Sequence, residues 1–223
     1  VPGDPMIYYI GAASGGLWKT TDGGHNWRPI FDDQDVSSIG SIAITPSKPD
    51  ILWVGTGETF VIRPAHAMGD GIYKSEDAGK TWKNMGLEKT GRIGRVVVHP
   101  TNPDIVYAAA IGSPWGIHPE RGVYKTTDGG KTWTNLLFTN NKSGAADMVM
   151  DPTNPKKLIA AMWEHERDPW FFKSGGKGSG LYITIDGGKT WTKKTSKEGL
   201  PEGELGRIGL AMAQNKPPQG YQE

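Results

Sequence analysis

Four stretches decide the fold: Thr20–Trp27 (TTDGGHNW), Ser75–Trp82 (SEDAGKTW), Thr126–Trp133 (TTDGGKTW) and Thr184–Trp191 (TIDGGKTW). Their aspartates, Asp22, Asp77, Asp128 and Asp186, stand 55, 51 and 58 residues apart by subtraction of their positions. Four matches to one octapeptide define a repeat of about fifty residues, and a period of that length marks an array of supersecondary units. Other features keep step with it. An apolar stretch runs into a Pro-x-x-Pro turn in Ile42–Pro49 (IAITPSKP), Val96–Pro103 (VVVHPTNP) and Val149–Pro155 (VMDPTNP). A second strand follows each turn, from Ile51, Ile105 and Leu158, with Ile7 as its counterpart in the first unit. A third leads into each octapeptide from Gly16, Gly71, Gly122 and Gly180, and a fourth follows its Trp. Short β-branched and aromatic runs between Gly, Pro, Asn and Asp are strand and turn signals, and no segment sustains a 3.6-residue period.

Four antiparallel strands per repeat predict an all-β fold of β-propeller blades. The parallel β-helix, the structural rival, uses much shorter repeats, and the leucine-rich consensus is absent. The first unit lacks an inner strand, while Arg207–Ala213 reads as one more inner strand at the far end. Residues 1–213 are therefore read as blades and 214–223 as an irregular tail or the start of another blade. Closure into a four-bladed ring, with Arg207–Ala213 completing the first blade, is the alternative to an arc of about four blades in a larger ring.

Composition agrees with a turn-dense, ordered chain. Glycine is 32 of 223 residues, roughly twice average usage, and nine Trp supply core material. A formal charge of +1 gives no electrostatic reason to expect nucleic acid. The longest apolar run, Ile105–Ile111, is far short of the ~20 residues of a membrane span, and no leader peptide stands at Val1. Zero cysteines exclude disulfides, thiolate metal sites and cysteine nucleophiles, without fixing the compartment.

The octapeptide resembles the Asp-box of the bacterial neuraminidase repeat. The wider register, in GAASGGLWKTTDGG, VGTGE, GDGIYKSEDAGKTWKNMGL, RGVYKTTDGGKTW and LGRIGLAMA, resembles bacterial proteins carrying a sortilin-like (Vps10-type) propeller. This resemblance covers essentially the whole chain. It implies a ring of about seven to ten blades and a secreted, periplasmic or cell-surface location. It says much less about activity, because such repeats occur in sialidases, oligoxyloglucan hydrolases, photosystem assembly factors and sorting receptors alike.

Antiparallel order places the boxes and the Pro-x-x-Pro turns on one face and the loops between second and third strands on the other. In each box the Asp carboxylate is expected to accept amides two or three residues on, and Trp27, Trp82, Trp133 and Trp191 to pack within or between blades. This role is structural: four identical aspartates spread around a ring cannot face one substrate, and one carboxylate per loop is too few for calcium. Lys19, Lys74 and Lys125, just before three boxes, read as solvated. Arg92, Arg95 and Arg207, at the starts of inner strands, read as ion-paired, with projection into the channel mouth as the alternative.

The opposite face carries long irregular loops: Glu58–Asp70, Ser113–Arg121 and Trp163–Gly180, against a tight turn at Ser14. Such loops are more often functional than core segments. Arg63, His66, Trp115, His118, Arg121, Trp163, Glu164, His165, Arg167 and Trp170 are the candidate binding residues, since rings stack on sugars or peptide side chains and charges fix orientation. Capping of the channel by these loops is the bland alternative. His66, His118 and His165 fall on three loops of this face without metal-ligand spacing, so no metal and no cofactor is assigned. Three readings of function remain. One is a noncatalytic platform or scaffold for a protein, peptide or glycan, within a larger assembly. Another is a glycoside hydrolase using two of Glu58, Asp70, Glu120, Glu164, Glu166 and Asp168. A purely structural subunit is the third reading. No acid pair is isolated in the sequence and no catalytic residue is assigned, which favours the platform.

Overall fold

The computed structural model describes residues 1–59 and 67–213. The described chain is almost entirely strand and turn, with two short 3-10 turns at Glu88–Thr90 and Ser196–Glu198. Four antiparallel sheets follow one another, each a blade. The first holds β1 (Tyr8–Ala12), β2 (Gly16–Thr20) and β3 (Arg28–Pro29). The second runs β4 (Ile39–Ile44), β5 (Leu52–Thr56), β6 (Ile72–Ser75) and β7 (Lys83–Asn84), and the third β8 (Ile93–Val98), β9 (Val106–Ala110), β10 (Gly122–Thr126) and β11 (Thr134–Leu137). The fourth runs β12 (Ser143–Met150), β13 (Leu158–Asp168), β15 (Gly180–Thr184) and β16 (Thr192–Lys193), and β14 (Phe171–Ser174) pairs with the end of β13. The strand order expected from the repeat is met in each blade. The outermost strands are only two residues long in three blades, which leaves little free edge.

Adjacent blades interlock through the inner strands. Gly11 and Gly55 occupy the same repeat position, and each receives the first residue of the next inner strand. A Cβ on Gly11 would lie 2.9 Å from Ile39 Cβ, and one on Gly55 2.8 Å from Ile93 Cβ. The second strands beside them are wholly buried in blades two and three. Apolar clusters fill the gaps: Leu17, Phe31, Val54 and Tyr73 between the first two blades, and Trp53, Ile72, Ile93 and Ala108 between the next two.

The box turns out to be a closed hydrogen-bond circuit. The leading Thr or Ser hydroxyl donates to the Asp Oδ1 at 2.7–2.8 Å in all four boxes. The same hydroxyl oxygen accepts the amide of the glycine four residues on, as Gly130 N does to Thr126 Oγ1 at 2.9 Å. The carboxylate accepts the amide four residues on together with that residue's side chain, Thr132 N and Oγ1 donating to Asp128 at 3.0 and 2.6 Å, and the expected amide three residues on, Lys131 N, adds a weaker contribution. Asn26, Thr81 and Thr190 make the same pair of bonds. These bonds hold the carboxylates low, Asp22 and Asp77 at about 2.

Two expectations fail. Lys19 and Lys125 are not solvated: each donates to a backbone carbonyl in the next blade's box, Ala78 O and Gly187 O, at 3.0 Å. With Lys74 they also lie over Tyr9, Tyr107 and Trp53 rings, at 5.1–5.4 Å. The stems of Lys19 and Lys125 follow the next blade's rim, so their ammonium groups meet carbonyls, whereas Lys74 pairs with Glu76 at 2.6 Å. Arg207–Ala213 is not a strand either. It takes part in no ladder, and its polar groups turn to side-chain and loop partners: Leu210 N donates to Asp147 Oδ2 at 2.9 Å and Arg207 Nη1 to Thr59 O at 2.8 Å.

Candidate loop-face site

Box loops and Pro-x-x-Pro turns do share one face: Ala78 N, Gly129 N and Gly187 N donate to Asp50 O, Asp104 O and Lys156 O at 2.8–3.1 Å. The loops between second and third strands leave from the other ends of the same strands. Arg63 and His66 lie outside the described residues.

The stretch after Trp163 is not a loop. Strand β13 continues to Asp168, turns, and pairs with β14 in the register His165 to Ser174 through Asp168 to Phe171. The alternation of Trp163, Glu164, His165 and Glu166 between ring and charge is period-two patterning. It was legible, but the density of charge masked it. The hairpin is tethered to the neighbouring blade by Arg167 N donating to Pro114 O at 2.9 Å.

The hairpin separates the candidate residues into two layers. Trp170, at its tip, is 86% exposed next to exposed Phe171, and Trp115 and Ile117 are exposed on the loop between β9 and β10. Trp163, His165 and Arg121 are buried and form a floor instead of a contact surface. Trp163 and His165 stack with ring centroids 4.2 Å apart, and Phe172 meets Trp163 edge-on at 5.9 Å. Arg121 is consumed by carbonyls, donating to Lys142 O and Ser113 O at 2.6 Å. Arg167 lies over Phe172 at 5.5 Å. His118 accepts from Ser113 N at 2.7 Å and faces Glu120 at 3.4 Å. Among the described residues, no group of three His, Asp or Glu side chains could hold a metal ion.

Five of the six acids have carboxylate partners, Glu120 being the one that faces His118, while Asp168 stands exposed at the hairpin turn. Glu164 accepts Gly178 N and Asn140 Nδ2 at 3.0 and 3.3 Å and lies 3.6 Å from Lys173. Burial alone raises its pKa, but these donors outweigh it and leave the carboxyl below its usual range, the wrong direction for a general acid. Glu166 pairs with Lys142 at 2.8 Å, Asp70 accepts from Tyr73 OH at 2.6 Å, and buried Glu58 accepts Ala67 N at 3.2 Å. Of the three arginines expected to be ion-paired, Arg95 pairs with Asp147 at 2.8 Å. Sequence reasoning gave no role to the box-face clefts of about 650 and 500 Å³ between blades, walled by Trp82 with Lys74 and Lys131, and by Trp27 with Lys19 and Lys80.

The family model described as Sortilin, neurotensin receptor 3 (Sortilin-Vps10) matches residues 70–199. This chain belongs to the Sortilin-Vps10 family. Its blades carry the Asp-box repeat of a sortilin-like propeller, as the sequence resemblance implied. Among curated proteins, the Sortilin-Vps10 chain is 25% identical to an oligoxyloglucan-reducing end-specific xyloglucanase of Emericella nidulans, over 90% of this chain and 27% of the relative. It is 23% identical to the photosystem II assembly lipoprotein Ycf48 of Nostoc, over 98% of this chain and 77% of that protein. Among solved structures, the Niastella koreensis GH74 enzyme aligns with a TM-score of 0.64 at 25% identity, covering 86% of this chain and 28% of that one. The chain thus spans about a quarter of the length of the xyloglucanases it matches.

Proposed function

We propose that this propeller segment is a noncatalytic binding platform for a protein, peptide or glycan, working through its loop face in an extracytoplasmic assembly. The observation that carries the reading is Trp170, 86% exposed at the tip of a hairpin that is itself pinned to the neighbouring blade through Arg167 and Pro114. An exposed indole on a braced hairpin is a contact element already ordered before a partner arrives, which lowers the entropic cost of binding. The charged flank supplied by Arg167, Lys142–Glu166 and Lys173–Glu164 gives such a contact its orientation. The curated relatives support both kinds of partner, since some are named xyloglucanases and one a photosystem II assembly lipoprotein. The lipoprotein name also supports a location outside the cytoplasm.

The second reading, a glycoside hydrolase, is favoured by the xyloglucanase relatives and opposed by the donors that hold Glu164 low and the ion pair that engages Glu166. The test uses the purified chain with xyloglucan oligosaccharides, β-glucans and sialosides, measuring reducing-sugar release and binding together, and affinity capture of protein partners. The platform reading expects no turnover and a captured glycan or protein whose affinity falls about tenfold in Trp170→Ala. Hydrolysis abolished by replacing one of the six acids would establish the enzyme instead.

A further inference from the structure

A buried guanidinium is costly unless an anion offsets the hydration it loses. Beneath the hairpin, three arginines stand within electrostatic reach of one another. Arg92, one residue before β8, and Arg121, one residue before β10, are both 0% exposed. Arg207 joins them from the segment after the fourth blade, its guanidinium 5.4 Å over the Trp163 ring. Between them lies buried His165. Its Nδ1 faces Trp163 O at 3.3 Å and its Nε2 meets Arg92 Nη2 at 2.6 Å. Since a guanidinium can only donate, Nε2 is the acceptor and Nδ1 carries the proton, so the ring is neutral. Burial first, then Arg92, Arg121 and Arg207, hold the His165 pKa down at about 2.

Among the described residues, Arg92 and Arg121 have no carboxylate in direct hydrogen-bond contact. Glu58 is the carboxylate acting on Arg92. The acids acting on Arg121 and Arg207 are Glu166 and Asp147, which are paired with Lys142 and Arg95, each at 2.8 Å. The bonds Arg92 and Arg121 make besides are to neutral acceptors: Arg92 Nε to Gly112 O at 2.7 Å, and Arg121 to Lys142 O, Ser113 O and Gly116 O. Arg92 Nη1 and Arg121 Nε, both fully buried, have no acceptor within hydrogen-bond reach among the described residues. Burial with too little compensation lowers Arg92 to about 9 and Arg121 to about 10.

We propose that Arg92 and Arg121, with Arg207 on the solvent side, form a binding site for one small inorganic anion of halide size, chloride in ordinary media. Close packing around the guanidinium groups points to the small size: a Cβ on Gly112 would lie 2.8 Å from Arg121 Nε, and Trp163 and His165 stack at 4.2 Å beside Arg92. A water molecule would satisfy the two N–H groups but leave the charge unbalanced. The anion would tie the third blade to β13 and to the segment at Arg207, and its presence does not depend on what the loop face binds.

Bromide replaces chloride in such sites and scatters anomalously. Crystals of the wild-type chain grown or soaked in sodium bromide are expected to show an anomalous peak within hydrogen-bond distance of Arg92 Nη1 or Arg121 Nε. A map with no peak there, or with a water in its place, overturns the proposal. In solution, exchanging gluconate for chloride at fixed ionic strength should raise Tm saturably, by roughly 5–10 °C at a hundredfold excess over Kd. Exposed Arg207, replaced as Arg207→Gln, should weaken the apparent affinity severalfold without unfolding the chain, and Arg92→Met should abolish the chloride response. Equal melting curves in both salts, or an equal rise with sulfate, would refute a halide-sized site. Should Arg92→Met fail to fold, the bromide map and the Arg207→Gln titration still decide the matter.

Discussion

At the scale of single residues, the Asp-box shows how eight positions come to be constrained. The leading hydroxyl, the carboxylate, the glycine amide and the following Thr or Asn close one circuit, and the Trp leaves the turn to reach the preceding blade: Trp82 Nε1 donates to Ile30 O at 2.6 Å and Trp133 Nε1 to Met85 O at 2.8 Å. Gly130 sits at φ +95 with a position where a Cβ would lie 2.8 Å from Trp53 Cη2. Gly130→Ala therefore combines backbone strain with a core clash and should cost about 2–4 kcal/mol, read by denaturant unfolding. His165 has a different sensitivity. Its folded pKa of about 2 lies below the 6.5 of an unfolded chain, so below pH 6.5 only the unfolded state binds the proton. Stability present above pH 6.5 is thus lost as pH falls, at up to about 1.4 kcal/mol per unit, and His99 and His118, lowered by burial, act in the same direction. Urea unfolding between pH 6.5 and 4.5 should show a shallower slope in His165→Gln. The aspartates were legible in the sequence because they repeat. His165 was not, because its burial is made by Trp163 stacking and by arginines from distant segments.

The elements show the same division between what repeats and what does not. Strand order, the Pro-x-x-Pro turns and the box loops follow from a pattern seen three or four times, and each was placed from sequence. The hairpin of β13 and β14 occurs once. Its charged residues looked like loop residues, although the pleat simply sends Glu164 and Glu166 one way and Trp163 and His165 the other. The lysines before the boxes misled for a related reason: alternation along β2 and β10 points them away from their own blade, yet the next blade's box comes close enough to receive them. Trp170 touches no core cluster, so Trp170→Ala should leave stability within about 0.5 kcal/mol of wild type while it weakens ligand capture. A melting temperature lowered together with binding would mean that the indole serves the fold.

Across the whole molecule, the box loops and the hairpin stand at opposite ends of the same strands. Segment Arg207–Ala213 illustrates why a local pattern alone does not make a strand. With Gly206 before it, it repeats the Gly-Arg-Ile-Gly of Gly91–Gly94, but it lies against Asp147 and Thr59 without a ladder partner among the described residues. The cysteine-free chain allows the opposition of faces to be measured by placing spin labels at Lys189→Cys, in the fourth box, and Trp170→Cys, at the hairpin tip. Strand β13 covers eleven residues from beside that box to the hairpin turn, a rise of roughly 35 Å at about 3.3 Å per residue. A pulsed-dipolar distance distribution centred at about 30–45 Å is expected. A single population below about 20 Å would put the two sites on one rim and contradict the assignment of roles to the two faces.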